Sequence, residues 1–272
     1  MRHFQWLLFV IMLGMFSGCA VTGKNSLSPL DPTRVNQAED AWTRFLNASR
    51  SAEVQASPFR ISANLHYAGD EGTQRVSAYF WGNGGEDPYP LRLDVQAGMG
   101  SIMAAVREDA AYFAAYVPSD KTLYLSPQGE GSLQAFDVPV PFSLADLALL
   151  FTGRYGELFL GPNYEKSALP PVFEGANGSF RFRLTGVAFP GYLDIGSDGL
   201  PVSWTEEDGW TISIDYRMDS TRTTPRRVRF THAEGREATV VVRELARPAP
   251  FGGQQLELGY PEGTQIRILQ PR

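Results

Sequence analysis

From Phe59 onward the chain alternates. In FRISANLHY, Phe59, Ile61, Ala63, Leu65 and Tyr67 fall on one side of an extended segment and Arg60, Ser62, Asn64 and His66 on the other. A period of two marks a strand with one buried face. GDEG turns the chain, RVSAYFW predicts a second strand ending at Trp81, and LRLDV sets Leu91, Leu93 and Val95 against Arg92 and Asp94. SIMAAV, AYFAAYV and TLYL follow across short polar turns, which suits an antiparallel meander. The pattern resumes in SFRFRL, GYLDIG, LPVSW, GWTISIDY, RRVRF, ATVVVREL, QLEL and TQIRIL. Residues 31–272 therefore read as one mainly β domain of about 11–12 strands, with no linker to divide it.

Helical spacing appears in places. Asp31-Pro32 has the form of an N-cap followed by a first-turn proline. Val35, Ala38, Trp42 and Phe45 then recur on one face, with Arg34, Glu39, Asp40 and Arg44 on the others. PFSLADLALLFTGRYG predicts a second helix, with Ser143 as N-cap, Asp146 in the first turn, and Leu144, Leu147, Ala148 and Phe151 as its apolar stripe. Residues 156–177 are less regular and are expected to loop over the surface.

The N-terminus has a different pattern. Arg2 and His3 precede an apolar run, Trp6 to Phe16, that is too short to span a bilayer and has the length of a signal-peptide core. Phe16-Ser17-Gly18-Cys19 then resembles the lipobox of bacterial lipoproteins, in which the cysteine is lipidated and becomes the mature N-terminus. Residues 1–18 are thus expected to be a lipoprotein signal peptide and 19–30 a tether, since AVTGKNSLSPL is polar and unpatterned. Cys19 is the sole cysteine, so an exported domain would have no disulfide. Ala20 stands where an Asp would signal inner-membrane retention, so the expected location is the outer membrane, with the domain in the periplasm.

Composition narrows the chemistry. A net charge of -6 argues against nucleic acid, which wants a basic face. His3, His66 and His232 are far apart in sequence, and no Gly-x-Ser-x-Gly elbow or phosphate-cradling glycine loop occurs. GEDP and TEEDG gather carboxylates (Glu86, Asp87; Glu206, Glu207, Asp208) beside glycine, as solvated turns do. The expectation is a binding protein, not an enzyme, with no metal or cofactor.

Two stretches carry a likeness. RVSAYFWGNGGEDPYPLRLDVQAGMGSIMAAV and GWTISIDYRMDSTRTTPRRVRFTHAEGREATVVVREL resemble the LolA/LolB superfamily, its LolB-like members in particular. The shared features are an aromatic-Trp strand end, Tyr-x-Leu-Arg-Leu, a Gly-Ser strand start, Gly-Trp, and Pro-Arg-Arg. The likeness implies an incomplete antiparallel β-barrel whose apolar concave face is lidded by two or three helices. It also implies a monomer that takes lipoproteins from a periplasmic LolA-like carrier, acyl chains in a cavity, and inserts them into the outer membrane.

Candidates for the cavity wall are Phe59, Ile61, Leu65, Trp81, Leu91, Leu93, Val106, Trp210, Ile212 and Ile214, with Trp42, Leu147 and Phe151 from the helices. The same residues could make a filled core, leaving a structural envelope lipoprotein. A cavity could also serve another amphiphile, such as a glycolipid or an envelope polysaccharide precursor. In QAGMGS, Gly98 and Gly100 flank Met99 at a hairpin tip. The resemblance aligns Met99 with a loop leucine that aids membrane insertion.

Overall fold

The computed structural model describes residues 27–50, 57–69, 72–84, 89–98, 100–126, 133–136, 138, 140–206, 209–217 and 224–269. The signal peptide, Cys19, most of the tether and Met99 lie outside the described residues.

The first meander is β1 (Phe59–Gly69), β2 (Gly72–Gly82), β3 (Leu91–Ala97), β4 (Ser101–Glu108), β5 (Phe113–Val117) and β6 (Thr122–Ser126). The second is β7 (Val172–Glu174), β8 (Phe180–Leu184), β9 (Gly191–Ile195), β10 (Pro201–Thr205), β11 (Trp210–Tyr216), β12 (Pro225–His232) and β13 (Glu237–Ala246). β13 pairs antiparallel with β1 and joins the two. A last strand, β14 (Gln265–Ile268), adds in parallel to β6. Among the described residues the result is a 14-stranded sheet with β14 and β7 at its two ends. It is mainly β, open at those ends, and shaped as an incomplete barrel.

Helices fill the concave side. α1 (Val35–Ser49) follows a single 3-10 turn at Pro32–Arg34, where Asp31 accepts a hydrogen bond from the Thr33 N–H at 2.9 Å. It buries Ala38, Ala41, Trp42 and Phe45, while Val35 stays exposed. α2 (Leu144–Thr152) begins at Ser143, whose hydroxyl accepts from the Asp146 N–H while the Asp146 carboxylate accepts from the Ser143 N–H. That reciprocal pairing satisfies two N–H groups that a bare helix end would leave without partners. Gly153 ends the helix in the left-handed region at φ 86°.

Residues 156–177 are more ordered than the expected loop. α3 (Tyr155–Leu160) buries Tyr155, Leu158 and Phe159, and β7 forms the sheet edge. Pro29 bridges to Phe173, the Glu174 N–H donates to the Ser28 carbonyl, and Leu30 packs against the core. Residues 28–30, expected at the end of the tether, are therefore already docked on β7.

The chain after Leu245 differs from expectation as well. QLEL was expected as a strand, but Leu256 closes a short helix, α4 (Gly253–Leu256), and Glu257 and Leu258 continue as an extended strap. The strap crosses the outer face of the first meander. Asn83 exchanges two hydrogen bonds with the Phe251 backbone at 2.6 and 3.0 Å. Leu256 is buried, and Leu258 packs on Ala114, Tyr116 and Leu123. Side chains on the outer face of β2–β6 thus gain an apolar cover of their own, which removes the drive to pair in the sheet.

Candidate functional site

Register decides where the interior is full. One inward row runs across the second meander as Phe182, Leu193, Trp204, Ile212 and Phe230. All five are large and buried. Against them pack the rings of α1, α3 and the preceding loops: Trp42 lies 5.0 Å from Phe182, Phe142 6.0 Å from Phe230, and Phe159 6.4 Å from Trp204. This half of the barrel is a packed core.

The first meander has a different row. Ala63, Ala78, Val95 and Ala104 stand side by side across β1 to β4. Small side chains there cannot reach the helices, and they leave a cavity of about 340 Å³. That volume lies within the range of roughly 300–1,000 Å³ common for ligand pockets. The flanking row, Ile61, Phe80, Leu93, Val106, Ala115 and Tyr124, forms the rest of the sheet wall. Leu144, Leu147 and Phe151 of α2 close it from the other side, with Leu133, Phe136, Val138 and Val140 from the chain leading into α2.

One end of the cavity is tied shut. Glu108, buried on β4, accepts hydrogen bonds from the Ala145 N–H at 3.2 Å and the Leu144 N–H at 3.4 Å. Its negative charge meets the positive end of the α2 dipole and holds the helix over the sheet. At the opposite end, near the β3–β4 and β5–β6 turns, wall residues reach solvent. Met103 is 37% exposed, and its neighbour Ile102, just outside the cavity, 45%. Among the described lining residues, polar side chains gather at this end: the Tyr67 hydroxyl donates to Gln74 at 2.8 Å, and the Tyr124 hydroxyl to Asp120 at 3.4 Å.

Of the candidate wall residues, Ile61, Leu65, Leu93, Val106, Leu147 and Phe151 line this cavity. Phe59 and Leu91 face inward beyond its closed end, where Phe59 stacks edge-on against Phe80 at 5.2 Å and Leu91 fills the space over Gly82. Trp42, Trp210, Ile212 and Ile214 belong to the filled half and do not line it. Trp81 is a correction of side. It pairs with Arg60 on the outer face, where its indole N–H donates to the Gln255 carbonyl of the strap at 3.1 Å. A tryptophan next to the inward Phe80 must point outward, because successive strand residues alternate.

The signal for the hollow lies in the alanines. Ala63, Ala78, Ala104 and Ala115 sit at inward positions of alternating strands, where their small size, not the large residues around them, marks the cavity. Gly98 and Gly100 adopt φ of +51° and +96° at the β3–β4 turn, backbone that favours glycine. Among the described residues no group of three or more His, Cys, Asp and Glu could hold a metal ion. Nor, among them, is any helix long and apolar enough to cross a membrane.

An open, curved sheet wrapped around helices, half filled and half hollow, is the class of fold. No protein-family model matches this chain, and no curated protein matches its sequence. Solved structures do share the layout. A protein described as an outer membrane lipoprotein-sorting domain, from Vibrio parahaemolyticus, is 11% identical with a TM-score of 0.47, over 80% of this chain and 95% of that one. A LolA superfamily protein from Nitrosomonas europaea is 10% identical with a TM-score of 0.44, over 81% and 97%. A DUF1329 family protein from Desulfovibrio piger is 8% identical with a TM-score of 0.47, over 84% and 98%.

Proposed function

We propose that this chain is a lipid-anchored outer-membrane protein that receives lipoproteins from a periplasmic carrier, holds their acyl chains in the cavity, and releases them into the outer membrane. The observation that carries the reading is the hollow half of the barrel. The alanine row leaves apolar walls facing about 340 Å³ of space that no described side chain fills. An apolar guest restores the missing contacts, and each methylene it buries contributes about 0.8 kcal/mol. Such binding needs neither nucleotide nor metal.

The resemblance of the two sequence stretches to LolB-like proteins supplies the cargo, and the Phe16-Ser-Gly-Cys19 pattern supplies the anchor. Beside the open end, Ile102 and Met103 present apolar side chains just after the β3–β4 turn. An apolar edge next to the exit suits delivery into hydrocarbon.

The test is depletion of the protein in its own cell. Lipoproteins should then accumulate on their soluble carrier and disappear from the outer membrane. Normal lipoprotein sorting after complete depletion would overturn the reading, and loss of a different envelope amphiphile would redirect the cavity to that ligand.

A further inference from the structure

The cavity wall is apolar with one charged exception. Among the described residues that line it, Asp120 alone has a carboxyl or basic side chain. The β5–β6 turn fixes its place: the Asp120 N–H donates to the Val117 carbonyl at 3.2 Å, and the next N–H, of Lys121, donates to Pro118 at 3.2 Å. Lys121 takes a φ of 48°, which closes the turn, and its side chain is not part of the wall. The Ser119 hydroxyl donates to one carboxylate oxygen of Asp120 at 2.9 Å, and the Tyr124 hydroxyl reaches the other at 3.4 Å. The carboxylate is thereby held at the open end, with Tyr124 continuing from it down the inner wall.

Resting on the reading that acyl chains enter this cavity, we infer that Asp120 selects their head group: it favours chains joined to a neutral, N–H-donating head such as an amide and disfavours carboxylate- or phosphate-headed amphiphiles. A chain inserted tail first leaves its head beside the Asp120 carboxylate. Two like charges about 6 Å apart at a wet rim, with an effective dielectric constant of roughly 40–80, shift binding by about 3- to 10-fold. An amide instead donates a charge-assisted hydrogen bond to the same oxygens. The free fatty acids and anionic phospholipids of an envelope would thus enter the pocket about 3- to 10-fold less readily than neutral-headed chains.

The experiment uses the full chain carrying Cys19→Ala, loaded with the neutral fluorophore N-phenyl-1-naphthylamine. Dodecanamide, methyl dodecanoate and dodecanoate then compete for it at neutral pH. The expected order of competition is amide, ester, carboxylate. Adding Asp120→Asn should improve dodecanoate about 3- to 10-fold relative to methyl dodecanoate, with the melting temperature unchanged. The inference is overturned if Asp120→Asn leaves the ratio of dodecanoate to ester where it was. Failure of the fluorophore and all three competitors to bind saturably would overturn the cavity reading itself, a separate outcome.

Discussion

Arg92 and Arg107 stand directly opposite each other on β3 and β4, and both are buried on the outer face of the sheet. Like charges in that position repel. Asp94 accepts from the Arg92 Nε at 2.7 Å, Asp109 pairs with Arg107 at 2.7 Å, and the Glu257 carbonyl of the strap accepts from Arg92. The Arg107 guanidinium also lies 4.5 Å over the Tyr112 ring. Asp94→Ala would leave a buried guanidinium short of a partner. It should destabilise the domain by about 1–3 kcal/mol, read by chemical denaturation. Deleting the strap from Phe251 should cost more, because Leu256 and the cover over Ala114 and Leu123 go with it.

The two rows of inward residues predict opposite responses to substitution. Ala78→Phe grows into the cavity, so it should weaken fluorophore binding at least about tenfold with little loss in melting temperature. In a filled core the same enlargement would cost about 1–3 kcal/mol. Ile212→Ala should do the reverse, losing about 2–5 kcal/mol of stability while leaving binding per folded molecule unchanged. Equal effects of both on binding would mean that the hollow and the packed half are not distinct.

Glu108 secures the lid. Glu108→Ala removes from β4 the carboxylate that accepts the Leu144 and Ala145 N–H groups of α2 and should cost about 0.5–2 kcal/mol, the usual effect of losing a cap. Amide hydrogen exchange in 144–152 should speed up while the β8–β12 amides stay protected. Uniform acceleration across the chain would mean that the cap supports the whole fold and not the lid alone.

At the hairpin, Met99→Glu and Ile102→Asp should leave folding and acceptance of cargo intact and slow its release into liposomes, because a charge resists entering hydrocarbon. Release at the original rate from both variants would remove the hairpin from the delivery step.

Cys19→Ala tests the anchor. The variant should fail to incorporate palmitate and should fractionate away from the outer membrane. A variant that still sediments with the outer membrane would show that something other than Cys19 holds it there.

Much was legible in the alternation itself. Strands β1 to β6 appear in order as read, since local turns join them and each buries one face. Ser143 and Asp146 cap α2 as their spacing predicts, for capping is a contact within one turn of helix. Residues 156–177 and QLEL depart from expectation for the opposite reason. Val172–Glu174 becomes a strand because β8 offers it an edge, and QLEL stays out of the sheet because Leu256 is buried in a short helix and Leu258 packs on a second apolar surface of the outer face. Neither partner is near in sequence.

The sequence by itself determined the β-rich alternation and the Ser143 cap of α2, because these depend on backbone period and on neighbours a few residues apart. Only the tertiary structure decided that Ala63, Ala78 and Ala104 would share a row while Ile212, Trp204 and Phe182 shared another. Cavity and core are built from the same kinds of inward side chain. What separates them is cross-strand register, which sums the sizes of residues from distant parts of the chain at one depth in the barrel.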